Sequence, residues 1–538
     1  MNTNQLKRFA KDARIKLLDQ VGRKLEFVLN NSSQIYTDTY AAQIQSLKDK
    51  IQQTGPVQVI EMVAYTWFNR LMSLRFMDAN SYTLPKVVTP LPGMTNPEIL
   101  QNALAGNIEP DLILDCQRIN DLLDGRTSST DAHTEAYKML LVAVCNQWHK
   151  AMPFMFERIS DYTELLLPDD LLSDYSIVAD LRNGMSDDDC QQEEILGWLY
   201  QFYISDENER LIKSKNAYKK HELAPASQLF TPKWIVRYMV DNTLGQLWSE
   251  INPSTKILWQ LEFYIKPAYT EQLQPRTKKK LEDIKFFEPC VGSAHILSYA
   301  FDVFYLMYEE QGYNISEIPE LILKHNLFGI DIDERAAQIA SFVLMMKGRR
   351  KNSRFLRKNI TPNITFYQDF PNDPKFKNAK AIGSLIQVEP KEIDRIKIEE
   401  GSMFAESQKE LKKLYTYLGQ RYDCVVTNPP YISSSRMEGS LKQYVEANYP
   451  DTKSDLFATF VLRCLELCNE DGLTGYMTPF VWMFISSYEK LRNLIIDKHF
   501  INNLIHWNIP VLMGLPYPSA LLHFEIGQYW NQKVVILD

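Results

Sequence analysis

The 538-residue sequence predicts an all-α N-terminal domain over residues 1–220, followed over residues 221–538 by an α/β domain with a mixed, mostly parallel seven-stranded sheet. Two observations support this prediction. Before residue 220, apolar residues recur at three- and four-residue spacing, as between Ile60 and Leu74, which is typical of amphipathic helices. After Ala224, short apolar runs that end in Gly, Asp or Asn alternate with amphipathic helical segments, which is typical of α/β folds.

The strands of the second domain are predicted from short apolar runs that are bounded by turn residues. These runs are 284–287, 327–330, 364–367, 424–427, 475–477, 501–505 and 521–526. A charged segment of helical character, about 372–420, is too long for an ordinary connection, so we interpret it as an insertion. Because 45% of the residues are hydrophobic and 12% aromatic, both domains have enough apolar residues to bury a core.

Composition excludes several classes of protein. Residues 2–8 are polar and charged, which is unlike a secretory signal, and no run approaches the ~20 apolar residues that span a bilayer. The seven cysteines are scattered without a Cys-x-x-Cys pair, a pattern that predicts neither a disulfide framework nor a zinc site. We therefore expect a cytoplasmic protein with no membrane association and no bound metal.

The net charge of −8 favours no particular partner, because nucleic-acid contacts depend on where Lys and Arg lie rather than on the total. The basic residues between Lys347 and Lys358 have no acid among them. Such a run is usually a solvated face, so it is only a weak candidate for a DNA contact.

The motif that carries most of the predicted chemistry is Asn428-Pro429-Pro430-Tyr431, which follows the predicted strand 424–427. Open α/β sheets bind their ligands at the carboxyl ends of such strands. The amine of a purine is a poor nucleophile because its lone pair is delocalised into the ring. The Asn428 side-chain oxygen and the Pro429 carbonyl can each accept one N–H of such an amine, which stabilises charge developing on nitrogen. Tyr431 offers a face on which a planar base can stack.

Two further strand ends predict a site for a nucleoside cofactor. A strand, a tight turn of small residues and a helix succeed one another over residues 286–297, a geometry that brings backbone close to a ligand. The candidate contacts in this turn are Glu288, Pro289, Gly292, Ser293 and His295. Asp331 and Ile332 end the next strand, where a carboxylate can accept both hydroxyls of a ribose. A dehydrogenase would use similar parts, but Gly-x-Gly-x-x-Gly is absent.

Asp369 and Phe370 follow the predicted strand 364–367. Asp369 could accept the amino group of the cofactor's adenine while Phe370 forms an apolar wall, although a carboxylate at this position could equally be a cap at the strand end.

The order of these motifs resembles that of adenine-N6 DNA methyltransferases in which the cofactor motifs precede the catalytic one. Phe230-Thr231-Pro232 is similar to the motif that contacts the methionine part of the cofactor, and Asp455-Leu456-Phe457 matches a later part of the core. The resemblance covers about residues 224–535. It implies a Rossmann-like fold, S-adenosylmethionine as cofactor, and a double-stranded DNA substrate whose adenine is flipped out of the helix.

Residues 64–72, 198–203 and 335–340 resemble the PglX methyltransferases of BREX-type phage-defence systems. This resemblance implies that the enzyme marks host DNA and works with other proteins of the defence system. Members of that family are longer and carry a C-terminal target-recognition region. We therefore expect the chain to correspond to an N-terminal portion.

The chain departs from the pattern Asp-Pro-x-x-Gly-Ser-Gly of the family at two positions. Glu288 adds a methylene, and Ala294 adds a methyl where a close backbone approach is expected. Pro289-Cys290 is also found in cytosine-C5 methyltransferases, but its place inside the cofactor turn argues against a nucleophilic cysteine.

Alternatives to adenine remain open from the residues alone. The tetrapeptide could serve cytosine N4, an RNA base or a protein glutamine, and the chain could also be a DNA-docking subunit with weak catalysis. No Glu-x-Lys occurs before residue 220, which counts against a fused nuclease.

Overall fold

A computed structural model describes residues 3–31, 40–158, 162–229, 231–266 and 276–506, together with the backbone of Ser519–Glu525 and Val535–Leu537. The chain forms two compact units, Met1–Asp206 and Glu207–Asp538. This division lies before the predicted domain boundary at residue 220, because Leu211 and Tyr218 belong to the hydrophobic core of the second unit.

The first unit is built from helices. They are α1 (Thr3–Asn30), α2 (Ala41–Thr54), α3 (Pro56–Ala79), α4 (Glu98–Leu104), α5 (Cys116–Leu123), α6 (Ala132–Trp148), α7 (Tyr162–Leu165), α8 (Ile177–Gly184) and α9 (Glu194–Tyr203).

Helix α3 differs from the amphipathic helix that was predicted for it. Every residue from Trp67 to Asp78 is buried, because α1, α2 and α8 all pack against it. One of its buried polar side chains, Asp78, is hydrogen-bonded inside the unit: its carboxylate accepts the backbone N–H groups of Val87 and Val88 at 2.9 and 2.8 Å. The apolar spacing of α3 therefore identified a helix but not how completely it is enclosed.

The second unit contains one mixed sheet of eight strands. The strands are β1 (Phe286–Glu288), β2 (Leu327–Asp331), β3 (Asn363–Phe366), β4 (Tyr422–Thr427), β5 (Cys468–Pro479), β6 (Phe500–His506), β7 (Ser519–Glu525) and β8 (Val535–Leu537). Their order is β3-β2-β1-β4-β5-β7-β6-β8, and β7 runs antiparallel to both of its neighbours. The predicted α/β class is confirmed, with β8 at the edge as a strand beyond the seven predicted.

The helices of the second unit connect and cover these strands. They are α10 (Ser205–Lys213, in which the division between the units falls), α11 (Leu223–Ser227), α12 (Lys233–Val240), α13 (Gln246–Ile251), α14 (His295–Glu310), α15 (Ile318–Leu321), α16 (Glu334–Lys351), α17 (Ala379–Ile382), α18 (Ala405–Gly419), α19 (Gly439–Asn448), α20 (Leu456–Leu467) and α21 (Glu489–Lys498).

The core of this unit centres on the parallel strands. All six residues of β4 are buried, and α20 packs against β4 and β5. The Phe287 and Tyr422 rings of neighbouring strands stack with their centroids 4.3 Å apart. Because β1, β2, β4 and β5 are parallel, their carboxyl ends lie along one edge of the sheet. We call this the carboxyl edge.

The basic run at the end of α16 lies far from that edge. Asp333 caps the start of α16, where the chain leaves β2, by accepting the Arg335 N–H at 3.0 Å. The helix has 18 residues and is therefore about 27 Å long, so Arg349, Arg350 and Lys351 lie at its opposite end. This basic run therefore does not lie beside the predicted catalytic residues.

Candidate functional site

A cleft opens at the carboxyl edge. Six of the residues singled out in the sequence line it together: Pro289, Gly292, Asp331, Ile332, Asn428 and Pro430. Three separate strand ends therefore meet around one space.

The turn after β1 forms one wall of the cleft. The Val291 N–H donates to the Ile330 carbonyl at 3.1 Å, which ties the turn to β2. Gly292 has a φ of +50° and Ala294 a φ of 64°, so two residues in this turn are left-handed. The strain falls on Ala294, because a residue with a Cβ is disfavoured there by about 1–2 kcal/mol. The departure from the family's glycine therefore keeps the shape of the turn at an energetic cost.

Asp331 connects this turn to the end of β2. Its Oδ2 accepts the Gly292 N–H and its Oδ1 accepts the Asp333 N–H, both at 2.8 Å. Burial raises the pKa of Asp331 to about 7, against the opposing effect of these hydrogen bonds. A ligand that donates hydroxyl groups to Asp331 would favour its ionised form.

Glu288 lies at the end of β1 and is almost completely buried. Its Oε2 has no hydrogen-bond partner among the described residues. Burial raises the pKa of Glu288 well above its ordinary value, and the nearby Asp331 raises it further. An unpaired buried carboxyl oxygen costs free energy unless a ligand or water satisfies it, so this atom is a candidate contact for a cationic or N–H group.

Ser293 and His295 complete the turn at the start of α14, where the Ser293 Oγ lies 3.0 Å from the His295 Nδ1. Neither residue lines the cleft. The neighbouring Cys290 does line it, but burial raises the pKa of its thiol well above the usual range. This thiol is therefore poorly suited to act as a nucleophile.

Asn428, directly after β4, is held by residues from two other parts of the unit. Its Nδ2 donates to the Thr231 Oγ1 at 3.1 Å, and its Oδ1 accepts the Tyr431 hydroxyl at 2.7 Å. The Tyr431 hydroxyl also lies 3.1 Å from the Met477 carbonyl on β5. The amide therefore has a defined orientation at the edge of the cleft, although 197 positions separate Asn428 from Thr231.

The Tyr431 ring packs edge-on against Phe457, with the ring centroids 6.3 Å apart. Burial raises the pKa of Tyr431, so its hydroxyl keeps its proton and can donate it. Pro429 is buried, whereas Pro430 faces the cleft. That a base stacks on Tyr431 stays a prediction.

The chain is similar in sequence to known methyltransferases. The Eco57I restriction-modification methylase family matches residues 325–511. The adenine-specific methyltransferase BrxX of Escherichia coli O9:H4 (strain HS) is 31% identical over 94% of this chain and 49% of its own length. The adenine-specific methyltransferase PglX of Lacticaseibacillus casei (strain Zhang) is 34% identical over 82% of this chain and 41% of its own length. The chain is homologous to BrxX and PglX.

The predicted resemblance to PglX is thus confirmed, and the chain spans about half the length of BrxX and somewhat less of PglX. Among solved structures, the Type IIL restriction-modification enzyme MmeI in complex with DNA matches 100% of the chain and 59% of its own. The TM-score is 0.50 at 14% identity, so this likeness concerns the fold alone. It agrees with the α/β methyltransferase fold that the homology to BrxX and PglX indicates.

Some predicted contacts are not part of the cleft. The Asp369 carboxylate pairs with the Lys220 ammonium and accepts the Lys380 N–H at 3.0 Å, as a cap for α17 would. Phe370 is buried in the core. Thr231 contacts the Asn428 side chain, but neither Thr231 nor Pro232 lines the cleft, and Phe230 lies outside the described residues. A role for Asp369 toward a cofactor's adenine stays a prediction.

The insertion supplies a wall that the sequence analysis missed. Residues Ala381 to Leu385 line the cleft, and the Ser384 hydroxyl donates to the Pro289 carbonyl at 2.5 Å. The mostly apolar run from Ala379 to Ile386, inside an otherwise charged segment, was the feature of the sequence that could have predicted this wall. Gly383 has a φ of +60°, and a Cβ there would lie 3.0 Å from the Ile332 Cγ2, so this close approach requires glycine.

The described part of the chain contains neither a candidate membrane span nor a candidate metal site. None of its helices is both long and apolar enough to cross a membrane. Nor do three or more of its His, Cys, Asp and Glu side chains gather into a group that could hold a metal ion.

Proposed function

We propose that the chain is the catalytic portion of a site-specific DNA methyltransferase that transfers a methyl group from S-adenosylmethionine to adenine N6. The observation that carries the proposal is the oriented Asn428 amide, which lines the same cleft as Asp331. Relatives named as adenine-specific methyltransferases support adenine as the base.

The residues around the cleft fit S-adenosylmethionine. The Asp331 carboxylate would accept the ribose hydroxyls, and the left-handed turn at Gly292 leaves room for a ligand close to the backbone. Glu288 does not line the cleft, but its buried Oε2 would accept the ammonium group of the methionine part, and that positive charge would favour the ionised carboxylate. When bound, this cofactor supplies a methyl group that is activated by attachment to a positively charged sulfur.

The protein's part in the transfer is to hold the amine. The Asn428 Oδ1 and the Pro429 carbonyl would accept the two N6–H groups, which turns the nitrogen lone pair toward the methyl group. Transfer would form the nitrogen–carbon bond at the expense of the cofactor's carbon–sulfur bond, whose electron pair the sulfur would keep. The two acceptors would stabilise the positive charge on nitrogen until one proton leaves to solvent.

Exposed aromatic and basic residues at the carboxyl edge support DNA as the substrate. Three aromatic side chains lie at the ends of β5 and β6: Phe480 and Phe484 follow β5, and His506 is the last residue of β6. Phe480 and His506 have ring centroids 5.2 Å apart, and Phe484 is 68% exposed. Stacking on such rings stabilises unpaired bases by about 1–3 kcal/mol each.

A second cleft lies among α19, α21 and the segment after Tyr431. Its lining includes Lys442, Lys453 and Lys490 with Ser434 and Ser435, against the two acids Glu446 and Asp451. Lysine and serine side chains commonly contact phosphate oxygens. We expect the sugar–phosphate backbone beside the target nucleotide to bind in this cleft.

We also infer that the enzyme marks host DNA in a BREX-type phage-defence system, together with other proteins of that system, as the homology to PglX suggests. Its seven cysteines are all free thiols, which suits a reducing cytoplasm.

The proposal is tested by mass analysis of nucleosides from the DNA of cells that carry the gene, the Asn428→Ala variant or no gene. We expect N6-methyladenine with the wild type and none with Asn428→Ala, while Asn107→Ala, an exposed asparagine of the first unit, keeps the modification. N4-methylcytosine in place of N6-methyladenine would identify cytosine as the acceptor, and DNA without any modified base would contradict the proposal. Long-read sequencing of the same DNA would then map the methylated site.

A further inference from the structure

We propose that Thr231 is a positioning residue, whose hydroxyl sets which end of the Asn428 amide is presented to the target amine. This inference rests on the proposed function, because it concerns how the same catalytic loop recognises an amine.

The need for such a residue follows from the shape of an amide. The oxygen and nitrogen ends of an asparagine side chain are almost the same size, yet only the oxygen can accept an N–H of adenine. A reversed amide would place two donors against the amine and repel it. Catalysis on N6 therefore requires that the two ends of Asn428 be distinguished.

The hydroxyls of Thr231 and Tyr431 lie at the two ends of the amide. The Asn428 Nδ2 donates to the Thr231 Oγ1 at 3.1 Å, and the Asn428 Oδ1 accepts from the Tyr431 hydroxyl at 2.7 Å. Thr231 is only 6% exposed, so water cannot easily replace it as a partner. With the nitrogen occupied by Thr231, the second lone pair of Oδ1 is the part of the amide left for a base.

A hydroxyl can donate or accept, so the reversed amide remains a competing state. In that state Thr231 would have to donate to the oxygen, and Tyr431 would accept from the nitrogen while it donates to the Met477 carbonyl, 3.1 Å away. Removal of the Thr231 hydroxyl leaves the end of the amide that faces it without a partner in either state. The remaining contacts then favour the reversed state, because the one Tyr431 proton goes to the Met477 carbonyl while the Tyr431 oxygen accepts the Asn428 Nδ2–H.

Three variants of the whole chain test this. Thr231→Val keeps the shape and removes the hydroxyl, and Thr231→Ser restores it. Initial rates are measured on unmethylated DNA at saturating S-adenosylmethionine. We expect Thr231→Val to lower kcat by about 10- to 100-fold with little change in the KM for DNA. A small misplacement of the target amine relative to the methyl group has an effect of this size. Thr231→Ser should stay within a few-fold of the wild type, and Val240→Thr, a buried change elsewhere on the same segment, measures the general cost of altering its packing.

A second readout separates orientation from simple support of the loop. Short duplexes with the mapped site carry either adenine or hypoxanthine, whose O6 is an acceptor, at the target position. We expect the wild type to bind adenine in preference to hypoxanthine, and Thr231→Val to lose most of that preference, because a reversed amide donates to O6. An unchanged preference in Thr231→Val, or a kcat equal to that of the wild type, would overturn the inference. A wild type that leaves adenine unmethylated would instead refute the proposed function.

Discussion

The Asp331 Oδ2 accepts the Gly292 N–H at 2.8 Å, so the carboxylate at the end of β2 holds the left-handed turn that follows β1. One side chain thereby fixes the shape of the cofactor wall and presents its remaining lone pairs to the cleft. Its burial also makes the charge of this carboxylate sensitive to pH near neutrality.

S-adenosylmethionine binding is predicted to weaken as the pH falls below 7. Burial raises the pKa of Asp331 to about 7, and ribose hydroxyls that donate to it favour the ionised form. The carboxyl must therefore lose a proton on binding, and affinity rises as the pH rises through 7. Calorimetry at pH 6 and pH 8 should give a Kd about tenfold weaker at pH 6.

The matched variant for this measurement is Asp331→Asn, which cannot ionise. Its binding should be weaker at both pH values and should lose the difference between them. A Kd of the wild type that is equal at pH 6 and pH 8 would contradict a neutral Asp331 in the free protein.

Substitution of Gly383 is predicted to disturb the cleft wall. A Cβ there would approach the Ile332 Cγ2 to 3.0 Å at a φ of +60°. Gly383→Ala should lower the free energy of unfolding by about 1–3 kcal/mol, because strained backbone adds to the contact. It should also weaken S-adenosylmethionine binding, since Ile332 lines the same cleft.

Gly401 provides the comparison. It has a φ of +85°, but a Cβ there meets nothing within 4 Å. Gly401→Ala should therefore show only the cost of the backbone conformation and leave cofactor affinity unchanged. Equal melting temperatures and equal Kd values for the two variants would refute the role of the close approach.

Arg463 is predicted to hold the insertion in place. This buried guanidinium donates to the Ser384 and Ile386 carbonyls at 3.0 and 2.7 Å, and pairs with Glu466 at 3.1 Å. Arg463→Met removes the guanidinium donor from the Ser384 and Ile386 carbonyls, so we expect a loss of about 2–5 kcal/mol in the free energy of unfolding. Denaturant unfolding measures it. Arg395→Met, which changes an arginine whose side chain is 67% exposed, should have little effect.

Phe484 is predicted to contribute to DNA binding but not to cofactor binding. Its ring is 68% exposed and lies 6.4 Å from that of His506 at the carboxyl edge. If a base stacks there, Phe484→Ala should weaken DNA binding by about 5- to 100-fold, from the ~1–3 kcal/mol of one stacking contact. Fluorescence anisotropy with labelled duplex measures the change.

Trp259 is the control for this substitution, because it is 92% exposed but lies away from the carboxyl edge. The nearby Lys256 N–H donates to Glu310, which is at the end of α14 opposite the carboxyl edge. Trp259→Ala should leave DNA affinity unchanged. An equal loss in both variants would mean that exposed aromatic residues bind DNA without regard to position.

Each of the seven strands predicted from the sequence overlaps a strand of the sheet, because runs such as 424–427 are apolar and bounded by turn residues. The three-residue β8 escaped prediction since so short a run has no pattern. Helix α3 was assigned to the right element, but its burial on all sides depends on neighbours that local spacing does not reveal.

The sequence by itself determined the α/β class, the strand ends that carry Gly292, Asp331 and Asn428, and the chemistry that those side chains can perform. Because parallel strands all end at the same edge of a sheet, these three residues could be expected to lie at the carboxyl edge. Only the tertiary structure decided that Thr231 holds the Asn428 amide and that Ser384 closes the cleft against Pro289. These contacts join distant segments, and their distances depend on side-chain packing that no local pattern encodes.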